Sequence, residues 1–203
     1  MNHLAHALLA GDEEALRLGG MLGDFVHGQP DPERFPPRVI DGIRLHRAID
    51  VYTDSHAEVA AARRLLPPPF RRFGGILLDM WFDHELARDF TRWSGQPLDP
   101  YSDQLRALLH RHDALLPDGL KRFRNYMDAR NLPAAYADRT EIGRALQGLS
   151  GRLSRANPVG IALPVLVELE QPLRMHFEAF FPQLLVFAAD WIAERSPSDT
   201  AQA

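Results

Sequence analysis

No cysteine occurs anywhere in the chain. This excludes disulfides, thiolate metal sites and a cysteine nucleophile, so any metal must be held through nitrogen and oxygen. A surplus of positive charge is missing as well. The 23 lysines and arginines against 27 aspartates and glutamates leave a formal charge of -4, without the basic field that drives non-specific nucleic-acid binding. Long apolar runs are also lacking. The most apolar late stretch, 159–169, is interrupted by Pro164 and Glu168 and cannot cross a hydrocarbon layer of about 30 Å. The apolar opening, 1–10, has no basic leader and runs into Asp12, Glu13 and Glu14, so it reads as part of the mature chain. These absences together predict a cytoplasmic protein with neither membrane nor nucleic acid as partner.

What is present is enough for a core. With 203 residues, 45% of them hydrophobic, the chain fits one globular domain, predicted over 1–195, followed by a small, polar and flexible tail over 196–203. Apolar residues recur at helical spacing, as in Ile43, Ala48, Ile49 and Tyr52, then Ile76, Leu77, Met80 and Trp81. No run alternates with period two, and Asp41-Gly42 and Asp118-Gly119 precede helical patterns rather than hairpins. The fold class is therefore all-α, a single-domain helical bundle. Prolines mark the breaks, with later ones expected near Pro172 and Pro182, giving roughly seven to nine helices.

Four segments carry candidate chemistry. In 42–56 a helix places His46 and Asp50 one turn apart on one face, with Asp54 continuing the line. In 79–89 Asp79 and Asp83 are likewise one turn apart with His84 adjacent, and a divalent ion would relieve their repulsion in apolar surroundings. The glycine-rich turn 19–28 puts Asp24 at an apolar edge, though its spacing matches no phosphate-binding fingerprint. His3 and His6 lie one turn apart near the start. Each segment also has a plain structural reading: a solvated His-Asp stripe, acids facing water, a helix cap, a pair of packed histidines.

Arg44 and Arg47 flank His46, and Arg71 and Arg72 precede the Asp79 segment. Guanidinium groups bind phosphate oxygens bidentately, so their place beside acids and histidines suggests an anionic, phosphorylated substrate. The His112-Asp113 doublet reads as an exposed helix end. The aromatic stripe Phe177, Phe180 and Phe181 reads as core packing in a closing helix.

Taken in order, MNHLAH, LGDFVHG, GIRLHRAIDVYTDSH, DMWFDHELA and HFEAFFPQL make the chain resemble the bacterial acyl carrier protein phosphodiesterase family from Met1 to about Leu185. That resemblance implies an HD-like helical fold related to the His-Asp metal phosphohydrolases. It implies hydrolysis of holo-acyl carrier protein to the apo form and 4′-phosphopantetheine, with a divalent ion, manganese typically and magnesium as another choice. Carried over, the implied metal positions are Asp24, His46, Asp50, Asp79, Asp83 and His84, with His6 outside them; Asp24, His46, Asp50 and His84 are the implied catalytic set. His84 or Asp54 would protonate the departing serine oxygen. An acidic carrier would dock on basic residues, with Arg44, Arg47, Arg63, Arg64, Arg71 and Arg72 as candidates. The sequence departs from the pattern twice: Asp83-His84 reverses the usual doublet, and Gly20 stands where a polar residue is expected. Two other readings fit the residues, an HD-type phosphohydrolase of a small nucleotide or phosphoester and a non-catalytic helical binding module.

Overall fold

Residues 1–195 of the computed structural model are described; the expected tail at 196–203 lies outside them. Eleven α-helices and five single 3₁₀ turns follow one another, and no strand occurs among the described residues. The helices are α1 (His3–Leu9), α2 (Glu14–Leu22), α3 (Pro37–Ser55), α4 (Ala57–Leu65), α5 (Gly74–Arg88), α6 (Phe90–Ser94), α7 (Leu98–Arg111), α8 (Asp118–Arg130), α9 (Arg139–Ser150), α10 (Leu163–Glu168) and α11 (Glu170–Ala193). The all-α expectation holds, with more helices than the proline breaks suggested. The extra ones include α6 and α10, five and six residues long, too short to display a period.

Local chemistry sets the ends. Pro37 opens α3 at a position where a missing N–H costs nothing, and Asp138 accepts from the Thr140 N–H to cap α9. Gly95 and Asn131 close α6 and α8 in the left-handed conformation. The break expected at Pro182 does not occur, because α11 runs through it. A proline inside a helix costs about 3 kcal/mol. Here Phe177, Phe180, Phe181 and Leu184 are fully buried on either side of it and offset that cost.

At the centre lies α5, enclosed all round in its second half. Every residue from Met80 to Ala87 is buried, including Asp83, His84 and Glu85. The reading of this helix's acids as water-facing therefore fails for Asp83, whose carboxylate accepts from the backbone N–H groups of Leu4 at 2.8 Å and of Asn2 and Ala5 at 3.3 Å. It satisfies the start of α1, a task that α1's own preceding residue, Asn2, does not perform with its side chain.

Two results are expected from this contact. Asp83→Ala strips three buried donors of their acceptor and should lower stability by roughly 3 kcal/mol in urea melts. Burial pushes the Asp83 pKa up to about 7 against the pull of those N–H groups. Between an ordinary carboxylate pKa near 4 and about 7 the folded state thus holds a proton that the unfolded chain has lost. The stability advantage of wild type over Asp83→Ala should shrink as pH rises from 4 to 7; an advantage growing over that range would refute the assignment.

The most extensive helix pairing is α2 on α3, where two glycines meet. A Cβ on Gly19 would lie 2.2 Å from the Val39 carbonyl oxygen, and one on Gly42 would lie 2.3 Å from that of Leu16. Only bare backbone permits this approach. It delivers the end of α2 to the flank of α3, where the candidate site is built.

Candidate metal centre and its cleft

Three elements converge beside α5. His6 comes from α1, His46 and Asp50 come from successive turns of α3, and Asp24 comes from the 3₁₀ turn Gly23–Phe25 that follows α2. One ligand atom from each of His6, His46 and Asp50 lies within 4.8 Å of the others. Asp50 bridges the pair, with Oδ1 3.1 Å from His6 Nε2 and Oδ2 3.3 Å from His46 Nε2. Asp24 Oδ1 also lies 3.3 Å from His46 Nε2. The two imidazoles are buried and stack with centroids 3.7 Å apart, while both carboxylates reach solvent.

The backbone fixes the orientation of His46. Its Nδ1 lies 2.8 Å from the Gly20 carbonyl oxygen, to which it donates, and this directs Nε2 at Asp24 and Asp50. Gly20, standing where a polar residue was expected, thus contributes through its carbonyl. Gly23 makes room for the ring, since a Cβ there would sit 2.1 Å from His46 Cγ.

Electrostatics at this point favour a cation. Burial works against charge on His46, yet hydrogen bonding to Asp24 and Asp50 wins and raises it to about 9. Burial likewise opposes charge on Asp24 and Asp50, and the facing histidines nevertheless hold both well below the ordinary carboxylate range. His6 is pushed down to about 3, by burial first and by His46 second. Its two ring nitrogens are buried without a hydrogen bond, although Nε2 lies so close to Asp50. Two imidazole nitrogens and two carboxylates converging with an orphaned nitrogen among them are a donor set suited to a divalent ion. The residues present fit such an ion.

The site forms part of the floor of a cleft of about 780 Å³. Asp24, Asp50, Asp54 and Asp79 line it, together with His3, Phe25, Phe123 and Tyr126. His3 Nδ1 is 4.0 Å from Asp24 Oδ2, and its ring packs against Phe123 with centroids 4.3 Å apart. Asp79 accepts from the Met1 ammonium at 2.8 Å. Thr53 and Asn2 also line the cleft.

Other expected site residues lie elsewhere. Asp83 is bound to the start of α1, and His84 Nδ1 is 2.7 Å from the Tyr136 carbonyl oxygen. Neither joins the cluster of His6, His46 and Asp50. None of Arg44, Arg47, Arg63, Arg64, Arg71 and Arg72 lines the cleft. Arg47 donates to the Val26 carbonyl at 2.6 Å, Arg44 faces Asp41, Arg63 faces Asp54, and Arg71 donates to the carbonyls of Leu66 and Arg64. His112 and Asp113 pair with Glu14 and Arg124 on the surface.

The sequence profile of the family described as "Acyl carrier protein phosphodiesterase" matches residues 1–184. The chain belongs to the acyl carrier protein phosphodiesterase family. The family member of that name from Serratia proteamaculans is 33% identical over 191 residues, covering 94% of this chain and 98% of its own. One from Escherichia coli O6:H1 is 34% identical over 189 residues, covering 91% of this chain and 96% of its own. No solved structure gives a significant match.

In this acyl carrier protein phosphodiesterase family member, the resemblance named His46 and Asp50 of the converging cluster but not the whole cleft. His6, placed outside the main ligand set in the sequence reading, belongs to the innermost cluster. Arg122, Phe123, Tyr126 and Arg152 escaped the sequence reading. They stand on α8 and just beyond α9, where no motif sets them apart from ordinary amphipathic surface.

Proposed function

We propose that the protein hydrolyses holo-acyl carrier protein to apo-acyl carrier protein and 4′-phosphopantetheine in the cytoplasm, with a divalent ion, manganese, as cofactor. The observation that carries this reading is the convergence of the buried His6 and His46 on Asp50, which lines an open cleft, in a chain of this family. An HD-like relationship of the fold belongs to the same proposal.

His6, His46, Asp50 and Asp24 would hold the ion. Such an ion supplies Lewis acidity, drawing charge from phosphoryl oxygens and acidifying water. The chain's own residues then have separable tasks. The Gly20 carbonyl keeps His46 in one tautomer and one orientation, so that its Nε2 meets the two carboxylates without reorganisation. The buried stack of His6 on His46 excludes water from one side. His3, Phe25, Phe123 and Tyr126 offer apolar contact to the organic part of the ester. Of the two candidates for relaying a proton to the departing serine oxygen, Asp54, one turn beyond Asp50, lines the cleft, whereas His84 is turned to Tyr136.

The test is direct. Purified protein with manganese and holo-carrier should lower the carrier's mass by one phosphopantetheine arm, read by mass spectrometry. An unchanged carrier mass alongside nucleotide turnover would replace this reading with that of a small-phosphoester hydrolase. No turnover and no specific manganese uptake would leave a binding module.

A further inference from the structure

An anionic substrate approaching this cleft meets four carboxylates, Asp24, Asp50, Asp54 and Asp79, of which Asp79 is paired with the Met1 ammonium and Asp54 faces Arg63, leaving Asp24 and Asp50 at the candidate centre. One divalent ion offsets only part of that repulsion, so the cleft needs further positive charge facing the substrate. Many arginines in the chain are already committed to other groups: Arg38 to Glu13, Arg88 and Arg139 to Glu170, Arg130 and Arg144 to Glu141, Arg174 to Asp89 and Glu178. Of the arginines expected to bind substrate, Arg44, Arg47, Arg63 and Arg71 are turned to carbonyls and neighbouring acids, and Arg64 and Arg72 do not line the cleft.

Two arginines differ. Arg122 on α8 and Arg152 beyond the end of α9 line the cleft and are exposed, and their side chains make no hydrogen bond or ion pair among the described residues. Arg122 adjoins Phe123, which packs on His3, and His3 is 4.0 Å from Asp24. Arg152 lines the same cleft as His3, Asp24 and Asp50. Both guanidinium groups therefore share the cleft with Asp24 and Asp50, with their donors free.

We infer that Arg122 and Arg152 form the anion-binding pair of this cleft, holding the non-bridging oxygens of the substrate's phosphate across from His6, His46 and Asp50. This rests on the proposed hydrolysis for the identity of the substrate, but not for the binding of phosphate itself. Guanidinium suits the task because its planar donors grip two phosphate oxygens at once. A carrier-docking role would have the same pair meet the carboxylates of an acidic protein instead.

Arg122→Gln, Arg152→Gln and the double variant separate these cases, and exposed positions should leave thermal stability unchanged. Manganese-loaded wild type and variants are titrated calorimetrically with 4′-phosphopantetheine and with inorganic phosphate, and KM for holo-carrier is measured in parallel. Each substitution should weaken phosphopantetheine and phosphate binding about tenfold, raise KM for holo-carrier in step, and leave manganese affinity as in wild type. Unaltered binding of both small ligands in the double variant overturns the inference. So does a rise in KM with small-ligand binding unchanged, which would assign the arginines to the carrier's surface, and so does a wild type that binds neither ligand. If holo-carrier keeps its mass while phosphate binding depends on both arginines, the proposed reaction falls and this inference stands.

Discussion

Asp50→Asn should abolish most manganese binding and lower turnover of holo-carrier by about 10³-fold, the several kcal/mol that a cation gives to phosphoryl oxygens. Asp50 alone touches both histidines, with one oxygen 3.1 Å from His6 and the other 3.3 Å from His46. Asparagine keeps the size and removes the charge. It also presents an amide donor to one of two nitrogens whose lone pairs an ion requires. The side chain is nearly half exposed, so the fold should survive and the loss should belong to the site. Calorimetric titration with manganese, alongside steady-state kinetics, checks both parts. An asparagine variant with wild-type manganese affinity would remove Asp50 from the ligand set and with it the centre as drawn.

Asp50 was legible because it obeys a local rule. His46 and Asp50 are four residues apart on a helix, and spacing alone puts them on one face. The long-range contacts were not legible in that way. Asp79 and Asp83 obey the same rule on α5, yet Asp83 ends on the backbone of α1, 79 residues from Leu4. Helical periodicity separates a half-buried helix from a strand but cannot reveal that a helix is buried on every side, as α5 is from Met80 to Ala87. The arginines expected to dock a carrier lie away from the cleft for a related reason. Adjacency in sequence to His46 placed Arg47 on a different azimuth of α3, where it ties down the Val26 carbonyl. Arg122 and Arg152 reach the cleft only through the packing of α8 and α9, which no short pattern encodes. The glycines were legible as points of close approach, and their partners, Gly42 for Gly19 and His46 for Gly23, emerge only in three dimensions.

Those glycine contacts carry the other large effect. Gly19→Ala should lower stability by roughly 3 kcal/mol, at the upper end for one added methyl group in a tight interface, because the atoms it strikes are backbone and cannot rotate away. Its Cβ would lie 2.2 Å from the Val39 oxygen and 2.6 Å from Gly42 Cα, so α2 must withdraw from α3. For a domain of this size that corresponds to a fall in Tm of about 6–12 °C in a thermal melt. The same withdrawal pulls the Gly20 carbonyl from His46 Nδ1, loosening the imidazole that faces both carboxylates. Manganese affinity should therefore fall by about 10-fold or more at temperatures where the variant is still folded, the usual cost of losing a partner that orients a metal-binding histidine. Stability loss with unchanged manganese affinity would mean that α2 and α3 separate without disturbing His46. Wild-type behaviour in both measurements would mean that a Cβ at position 19 has more room than the 2.2 Å to the Val39 oxygen allows and that the two helices meet in another register.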